Sequence, residues 1–203
     1  MLLRLLRHPA TASSGEGCIG QTDVALSAEG LAAIERIAED AARTKPARLL
    51  SSDLRRCRML ADAIAARLDI CPEPDAIWRE VNFGAWENRT WDEIRSDDPH
   101  ALAAWMDDFV TVAPPGGESF HQLRSRVVSA LQKIDPEPFD SLLVVTHAGV
   151  IRAAVCAFSD WPLRRAFELE VSCGSTTCLR WKDNQWGVVP HALHVAIEVE
   201  VRP

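Results

Sequence analysis

The sequence predicts an α/β fold: a mostly parallel central sheet with helices on both faces and a helical excursion over one rim. Three observations predict it. Short apolar runs alternate with longer segments whose apolar residues recur at helical spacing. The run Leu142–Thr146 is apolar and rich in β-branched residues, as in a strand buried on both faces of a parallel sheet. Breaks such as PPGGES interrupt these segments without forming a long linker, so residues 1–203 are expected to be one domain.

Leu2–Leu6 reads as the first strand, interrupted by Arg4, for which a carboxylate partner is expected. Pro9 ends it: proline has no amide hydrogen, and it holds the preceding His8 in extended backbone. Residues Pro9 to Leu26 are rich in Gly, Ser and Thr and read as a long loop, a length that usually marks function or disorder. Ser27 is placed to cap a helix over Ala28–Arg43, with Leu31, Ile34, Ala38 and Ala41 on its apolar face. Pro46 stops helix propagation, and Ala47–Ser51 is the second strand.

Ser52 reads as the cap of a helix from Asp53 to Leu68. Its apolar face carries Cys57, Leu60, Ala61, Ile64 and Leu68, and Asp53 suits the positive helix N-terminus. Pro72–Trp78 is a connector with an edge strand. Thr90 and Glu93 form a capping box, and Asp98-Pro99 starts a further helix to about Phe109, so the excursion covers about 82–118. Ser119 begins a helix to Ile134. The strand Leu142–Thr146 then feeds a helix over Ala148–Phe158, and strands are expected at Phe167–Cys173, Thr176–Trp181 and Val195–Val201.

With 203 residues, 47% hydrophobic and 25% charged, the chain has the composition of a soluble globular protein. No apolar run approaches the ~20 residues of a membrane span, and MLLRLL is too short for a signal-peptide core. A cytoplasmic protein without a membrane partner is expected. The cysteines at 18, 57, 71, 156, 173 and 178 show no C-x-x-C spacing and read as reduced, packed thiols. His191 and His194 come closest to a ligand pair but match no zinc pattern, so neither a metal nor another cofactor is expected. A net charge of −7 argues against nucleic acid as a partner, yet it allows a locally positive pocket for a small anion.

Three strand ends carry the groups that matter. The first ends in Arg7-His8, the second in Ser51-Ser52 with Arg56 soon after, and the third in His147 followed by Ala148-Gly149 at a helix start. Ligands of open α/β sheets sit beyond the carboxyl ends of the strands. If these strands are neighbours, two arginines, two histidines and free helix amides converge on a site for a dianion such as phosphate. Singly, an arginine near a helix start is more often a solvated charge, and a histidine after a strand is more often structural. The residues by themselves leave both readings open.

Several segments bear a resemblance that separates them. LLRHPAT resembles the R-H-G signature of the histidine phosphatase superfamily, also called phosphoglycerate mutase-like. SSDLRRCRMLA is similar to its S-S-x-x-x-R-A-x-x-T-A segment, and REVNFGAWENRTWDEI to its L-x-E-x-x-F-G-x-W-E-G segment. GGESFHQLRSRV and LLVVTHAGVIR resemble two more, and all occur in the family's order from residue 2 to about 152. Pro9, Leu60 and Asn88 depart from the pattern, where glycine, threonine and glycine are usual.

The resemblance implies a three-layer, phosphoglycerate mutase-like fold and a metal-independent phosphomonoesterase with a phosphohistidine intermediate. It implies that His8 is the nucleophile and that Arg7, Arg56 and His147 hold the phosphoryl oxygens. Glu80 would protonate the leaving alkoxide and then activate water. Thr11, Gln21, Thr22, Ala148 and Gly149 are further expected substrate contacts. GCIGQTDVALS is similar to a stretch of α-ribazole-phosphate phosphatase-like members, with Ile19 where tyrosine is frequent. Trp86, Trp91, Trp105 and Phe109 lie where a lid could stack an aromatic base, although such rings are more often core. The expected partner is a small phosphorylated metabolite, with a homodimer left open. Alternatives are a phosphoglycerate mutase, a sugar-bisphosphatase or an inactive binding module on the same fold.

Overall fold

The computed structural model describes residues 1–12, 17–135 and 139–189, and the backbone of 194–195. His191, the side chain of His194 and most of the strand expected at Val195–Val201 lie outside the described residues. In chain order the elements are β1 (Leu2–Arg7), β2 (Gly17–Cys18), α1 (Ala28–Ala42), β3 (Arg48–Ser51), α2 (Arg55–Leu68), β4 (Pro72–Pro74), β5 (Arg89–Thr90) and α3 (Trp91–Asp97). There follow α4 (Pro99–Asp107), α5 (Phe120–Gln132), β6 (Ser141–Thr146), α6 (Ala148–Ala157), β7 (Leu169–Glu170), β8 (Thr176–Lys182), β9 (Gln185–Val188) and β10 (His194–Val195).

The main sheet has six strands in the order β4-β3-β6-β1-β8-β9. The first four are mutually parallel, and β8 and β9 add an antiparallel hairpin beyond β1. Side chains alternate across each strand, so both faces can be read from β6. Leu142 and Val144 join Leu3 and Leu5 under α5 and α6, whereas Leu143 and Val145 join Leu6 and Leu49 under α1 and α2. That is the three-layer α/β arrangement. No helix among the described residues is long and apolar enough to cross a membrane.

Local sequence accounts for most element ends. The Ser27 hydroxyl accepts from the Gly30 amide at the start of α1. Thr90/Glu93 and Ser119/Gln122 both close as capping boxes, at α3 and α5. Pro99 opens α4 at a position where its missing amide hydrogen costs nothing.

Other expectations give way. Leu31 is 48% exposed, and Ile37 takes its place on the buried face of α1. Arg4 meets the Ser141 hydroxyl at 2.8 Å rather than a carboxylate. Helix α2 starts at Arg55 with Leu54 as an uncapped N-cap, because the Ser52 hydroxyl is turned to His147. Asp53 chelates the Arg79 guanidinium instead of the helix terminus. Residues Leu163–Glu168 form a 3₁₀ helix, which leaves only Leu169–Glu170 of the expected strand at Phe167–Cys173. Strand β9 was missed. Its signal is Asp183-Asn184, both at positive φ, the two-residue turn that a twisted hairpin demands.

The excursion has a small core of its own. Cys18, Trp86, Ile94 and Leu102 are buried together, with Phe83, Trp91 and Trp105 packed on them. The ladder between β2 and β5 ties the loop after β1 to this unit. Ile94→Ala is expected to leave a cavity and cost about 2–4 kcal/mol in urea unfolding. Leu31→Ala, on the solvent side of α1, should stay within about 0.5 kcal/mol.

Candidate active site

Strand register sets the site. Arg7 of β1 is level with Thr146 of β6, and Ser51 of β3 with Val145. The next residues, His8, Ser52 and His147, therefore emerge at the same edge. His8 and Ser52 donate their amides to the carbonyls of Thr146 and Val145, which extends the ladder by one rung on each side of β6. The His8 and His147 rings stand edge to face with centroids 5.1 Å apart.

A cavity of about 210 Å³ opens beyond these strand ends, lined by Arg7, His8, Thr11, Gly17, Ile19, Gly20, Arg56, Glu80 and Phe83. Five of the residues named from sequence thus meet here: Arg7, His8, Thr11, Arg56 and Glu80. The cavity lies below the ~300–1,000 Å³ usual for drug-sized ligands, a size that suits a small anionic ester.

His8 is 6% exposed, and its Nδ1 lies 2.6 Å from the Pro9 carbonyl oxygen. A carbonyl only accepts, so Nδ1 carries the proton and Nε2 keeps its lone pair. Burial, then the positive charges of Arg56 and Arg7, depress the His8 pKa to about 3, although the bond to Pro9 opposes them. The ring is neutral at physiological pH, with a free nitrogen.

Arg56 is 2% exposed. Its Nη1 donates to the Thr22 carbonyl at 2.7 Å, Nη2 to the Gly20 carbonyl at 2.6 Å and Nε to His147 Nδ1 at 3.3 Å. Gly20 holds φ +52°, a conformation that suits glycine, and so turns its carbonyl to the guanidinium. Burial lowers the Arg56 pKa, while Glu80, Asp23 and Glu87 oppose the shift through space. None of these carboxylates, nor any other among the described residues, forms an ion pair with Arg56 or Arg7. Arg7 Nη1 donates to the Val171 carbonyl, and its Nε is buried without a partner. Among the described residues, neither cavity guanidinium has a carboxylate in direct contact.

His147 is fully buried behind Arg56 and does not line the cavity. Nδ1 accepts from Arg56, so Nε2 carries the proton and donates to the Ser52 hydroxyl at 2.9 Å. Burial, followed by electrostatic repulsion from His8, Arg56 and Arg7, lowers its pKa well below the usual imidazole value. Both nitrogens are thus engaged with protein groups. His147 supports Arg56 here instead of facing the anion site directly.

Glu80 is held at the N-terminus of α6. Its Oε2 accepts from the Gly149 amide at 3.1 Å, and its Oε1 from the Val81 amide at 2.9 Å. A Cβ at position 149 would come within 2.1 Å of Oε1, so only glycine leaves room for the acid. The Gly149 amide expected to meet substrate is therefore taken by Glu80, and neither Ala148 nor Gly149 lines the cavity. Gln21 and Thr22 also stand outside it. The Gln21 amide and Thr22 hydroxyl donate to Glu87, and the Gln21 side chain donates to the Glu80 carbonyl.

Three supporting residues escaped the sequence reading. Arg126 donates to the carbonyls of Ile77, Arg79 and Glu80 while paired with Glu118 at 2.6 Å, which clamps the segment that carries Glu80. Glu87 braces the loop at residues 21–22 and also accepts from the Phe83 amide. Their positions within GGESFHQLRSRV and NFGAWENRT were the available signal.

Known proteins resemble this chain in sequence and in fold. A glucosyl-3-phosphoglycerate phosphatase of Mycobacterium tuberculosis is 33% identical over 175 residues, 79% of this chain and 78% of the relative. An adenosylcobalamin/alpha-ribazole phosphatase of Salmonella typhimurium is 27% identical over 179 residues, 86% of this chain and 87% of the relative. The solved mycobacterial glucosyl-3-phosphoglycerate phosphatase in complex with VO3 superposes with a TM-score of 0.78 at 31% identity, covering 96% of this chain and 97% of that one. The profile of the histidine phosphatase superfamily (branch 1) matches residues 3–193. The chain therefore belongs to the histidine phosphatase superfamily, in its branch 1.

Proposed function

We propose that the protein is a phosphomonoesterase that works through a phosphohistidine at His8, without a metal, on a small phosphorylated metabolite. The observation that carries this reading is a neutral imidazole whose Nε2 makes no hydrogen bond among the described residues, beside two cavity guanidiniums that have no contacting carboxylate there. Guanidiniums without a contacting carboxylate suit an anionic guest, and a phosphoryl group supplies it. The mycobacterial relative solved with VO3 supports an oxyanion in the equivalent fold.

In the first step Nε2 of His8 attacks phosphorus, and the bond from phosphorus to the ester oxygen breaks. Arg7 and Arg56 bind the equatorial oxygens, with Thr11 beside them, and spread the charge of a loose transition state. The ring becomes cationic as it takes the phosphoryl group, and the Pro9 carbonyl at Nδ1 stabilises that charge. Glu80 gives a proton to the departing alkoxide. It then takes one from the water that attacks the phosphohistidine, and phosphate leaves with the ring neutral again.

The relatives name different esters, glucosyl-3-phosphoglycerate and α-ribazole phosphate. Stacking of an aromatic base by the lid rings finds little support. Trp86 is 1% exposed, and Trp91 and Trp105 stack on each other at 5.7 Å; of this group only Phe83, which touches both, lines the cavity. The proposal therefore stays at a small monoester, with α-ribazole 5′-phosphate as one member of the panel to be assayed.

Hydrolysis of p-nitrophenyl phosphate in EDTA tests the reading, combined with an alkaline quench, which phosphohistidine survives. Turnover and a labelled enzyme are expected; absence of both overturns the proposal. His8→Asn should abolish the label, and Arg56→Ala should lower kcat/KM by about 10²–10³. Glu80→Gln should lose more rate with an alkyl phosphate than with p-nitrophenyl phosphate, whose leaving group needs no proton. Since His8 takes up a proton only near pH 3, its attacking form persists as the pH falls through 6.5. The acid limb of kcat/KM, corrected for substrate ionisation, is expected to show no step near 6.5.

A further inference from the structure

Arg152 lies outside the phosphoryl cavity, and the proposed reaction gives it no task. It stands on α6 one turn beyond Gly149, on the helix face whose amide holds Glu80. Its Nε donates to the Leu169 carbonyl at 3.0 Å. Two residues on, the Val171 carbonyl takes Nη1 of Arg7. Carbonyls two apart on extended chain point the same way and are about 7 Å apart. Segment 169–171 thus holds both arginines, Arg152 through Leu169 and Arg7 through Val171.

A chain of ring contacts links Arg152 to the cavity lining. The guanidinium lies 5.5 Å over the Phe167 ring. From Phe167 a row of rings runs through Trp105, at 6.5 Å, to Phe83, at 6.1 Å from Trp105, and Phe83 lines the cavity. Burial lowers the Arg152 pKa, and its charge feels both Glu80 and Arg7. The half-buried arginines nearby have carboxylate partners: Arg79 has Asp53, and Arg126 has Glu118. Arg152 has none among the described residues, and its two Nη groups make no hydrogen bond there. A half-desolvated guanidinium fixed by Nε presents its Nη edge as a fork for an anion.

We propose that Arg152 is a specificity-determining residue that receives a second anionic group, a carboxylate or a further phosphate, carried by the alcohol part of the substrate. This rests on the phosphomonoesterase reading. The phosphoryl group sits among Arg7, His8 and Arg56, and the rest of the ester extends past Phe83 towards Arg152. A neutral alcohol there leaves the guanidinium unpaired, whereas an acidic one pairs with it and fixes the ester for in-line attack.

Matched esters test this. 3-Phosphoglycerate and glycerol 3-phosphate differ in carboxylate against hydroxymethyl; propane-1,3-diol bisphosphate and its monophosphate differ in the second phosphate. The wild-type protein is expected to prefer the more anionic member of at least one pair, and which pair it is identifies the group. Arg152→Gln should reduce that preference, the ratio of kcat/KM values, by about 10- to 100-fold, with the loss carried in KM. Arg152→Lys should restore part of it. Equal losses on both members of a pair would make Arg152 a positioning residue for Glu80 and overturn the proposal. A wild type that cleaves p-nitrophenyl phosphate without preference in either pair overturns this proposal alone. A wild type inert on every ester overturns the phosphatase reading as well.

Discussion

The structure turns on one unbalanced charge. Arg56 is buried almost completely, yet it is held by two backbone carbonyls and an imidazole instead of a carboxylate. A protein that sought stability alone would pair this group or replace it with a hydrocarbon. Here the loop 20–22 curls around the guanidinium and fixes its plane, and the full positive charge remains for a guest. The neutrality of His8 follows in part from the same charge, which is among the causes that lower its pKa.

The sheet makes that arrangement possible. Parallel strands β1, β6 and β3 lie in adjacent positions with their carboxyl ends level, so groups far apart in sequence share one edge. A shift of one residue in register would turn Leu142 and Val144 to the opposite helix layer and carry His147 away from Arg56. Packing of the two cores and geometry of the site are therefore one specification. Glu80 comes from outside the sheet and needs its own fixings: the clamp of Arg126 from α5 and the amide at the start of α6.

Much of this was legible in the sequence, for identifiable reasons. A parallel core strand announces itself as an unbroken β-branched run, and a capping box is a local chemical bond, so Leu142–Thr146, Thr90/Glu93 and Ser119/Gln122 were readable. Arg7, His8 and Arg56 were candidates because strand ends are where such sheets place ligands, and the resemblance of the surrounding segments separated them from solvated or structural residues. What stayed hidden was tertiary choice. Ser52 has the chemistry of a helix cap but finds a better partner in His147, 95 residues away. Arg4 is satisfied by a hydroxyl on the neighbouring strand, a contact that no spacing rule anticipates. The rings of the excursion satisfy one another, so a count of tryptophans says nothing of what faces the cavity.

The Pro9 carbonyl also decides an isomer. Because it claims the proton on Nδ1, the imidazole offers only its far nitrogen, the one remote from the main chain. Any group transferred to His8 would thus be carried on the tele position, at the end of the ring's reach. A proline in place of the usual glycine forfeits one amide donor, but its oxygen still dictates which face of the heterocycle reacts.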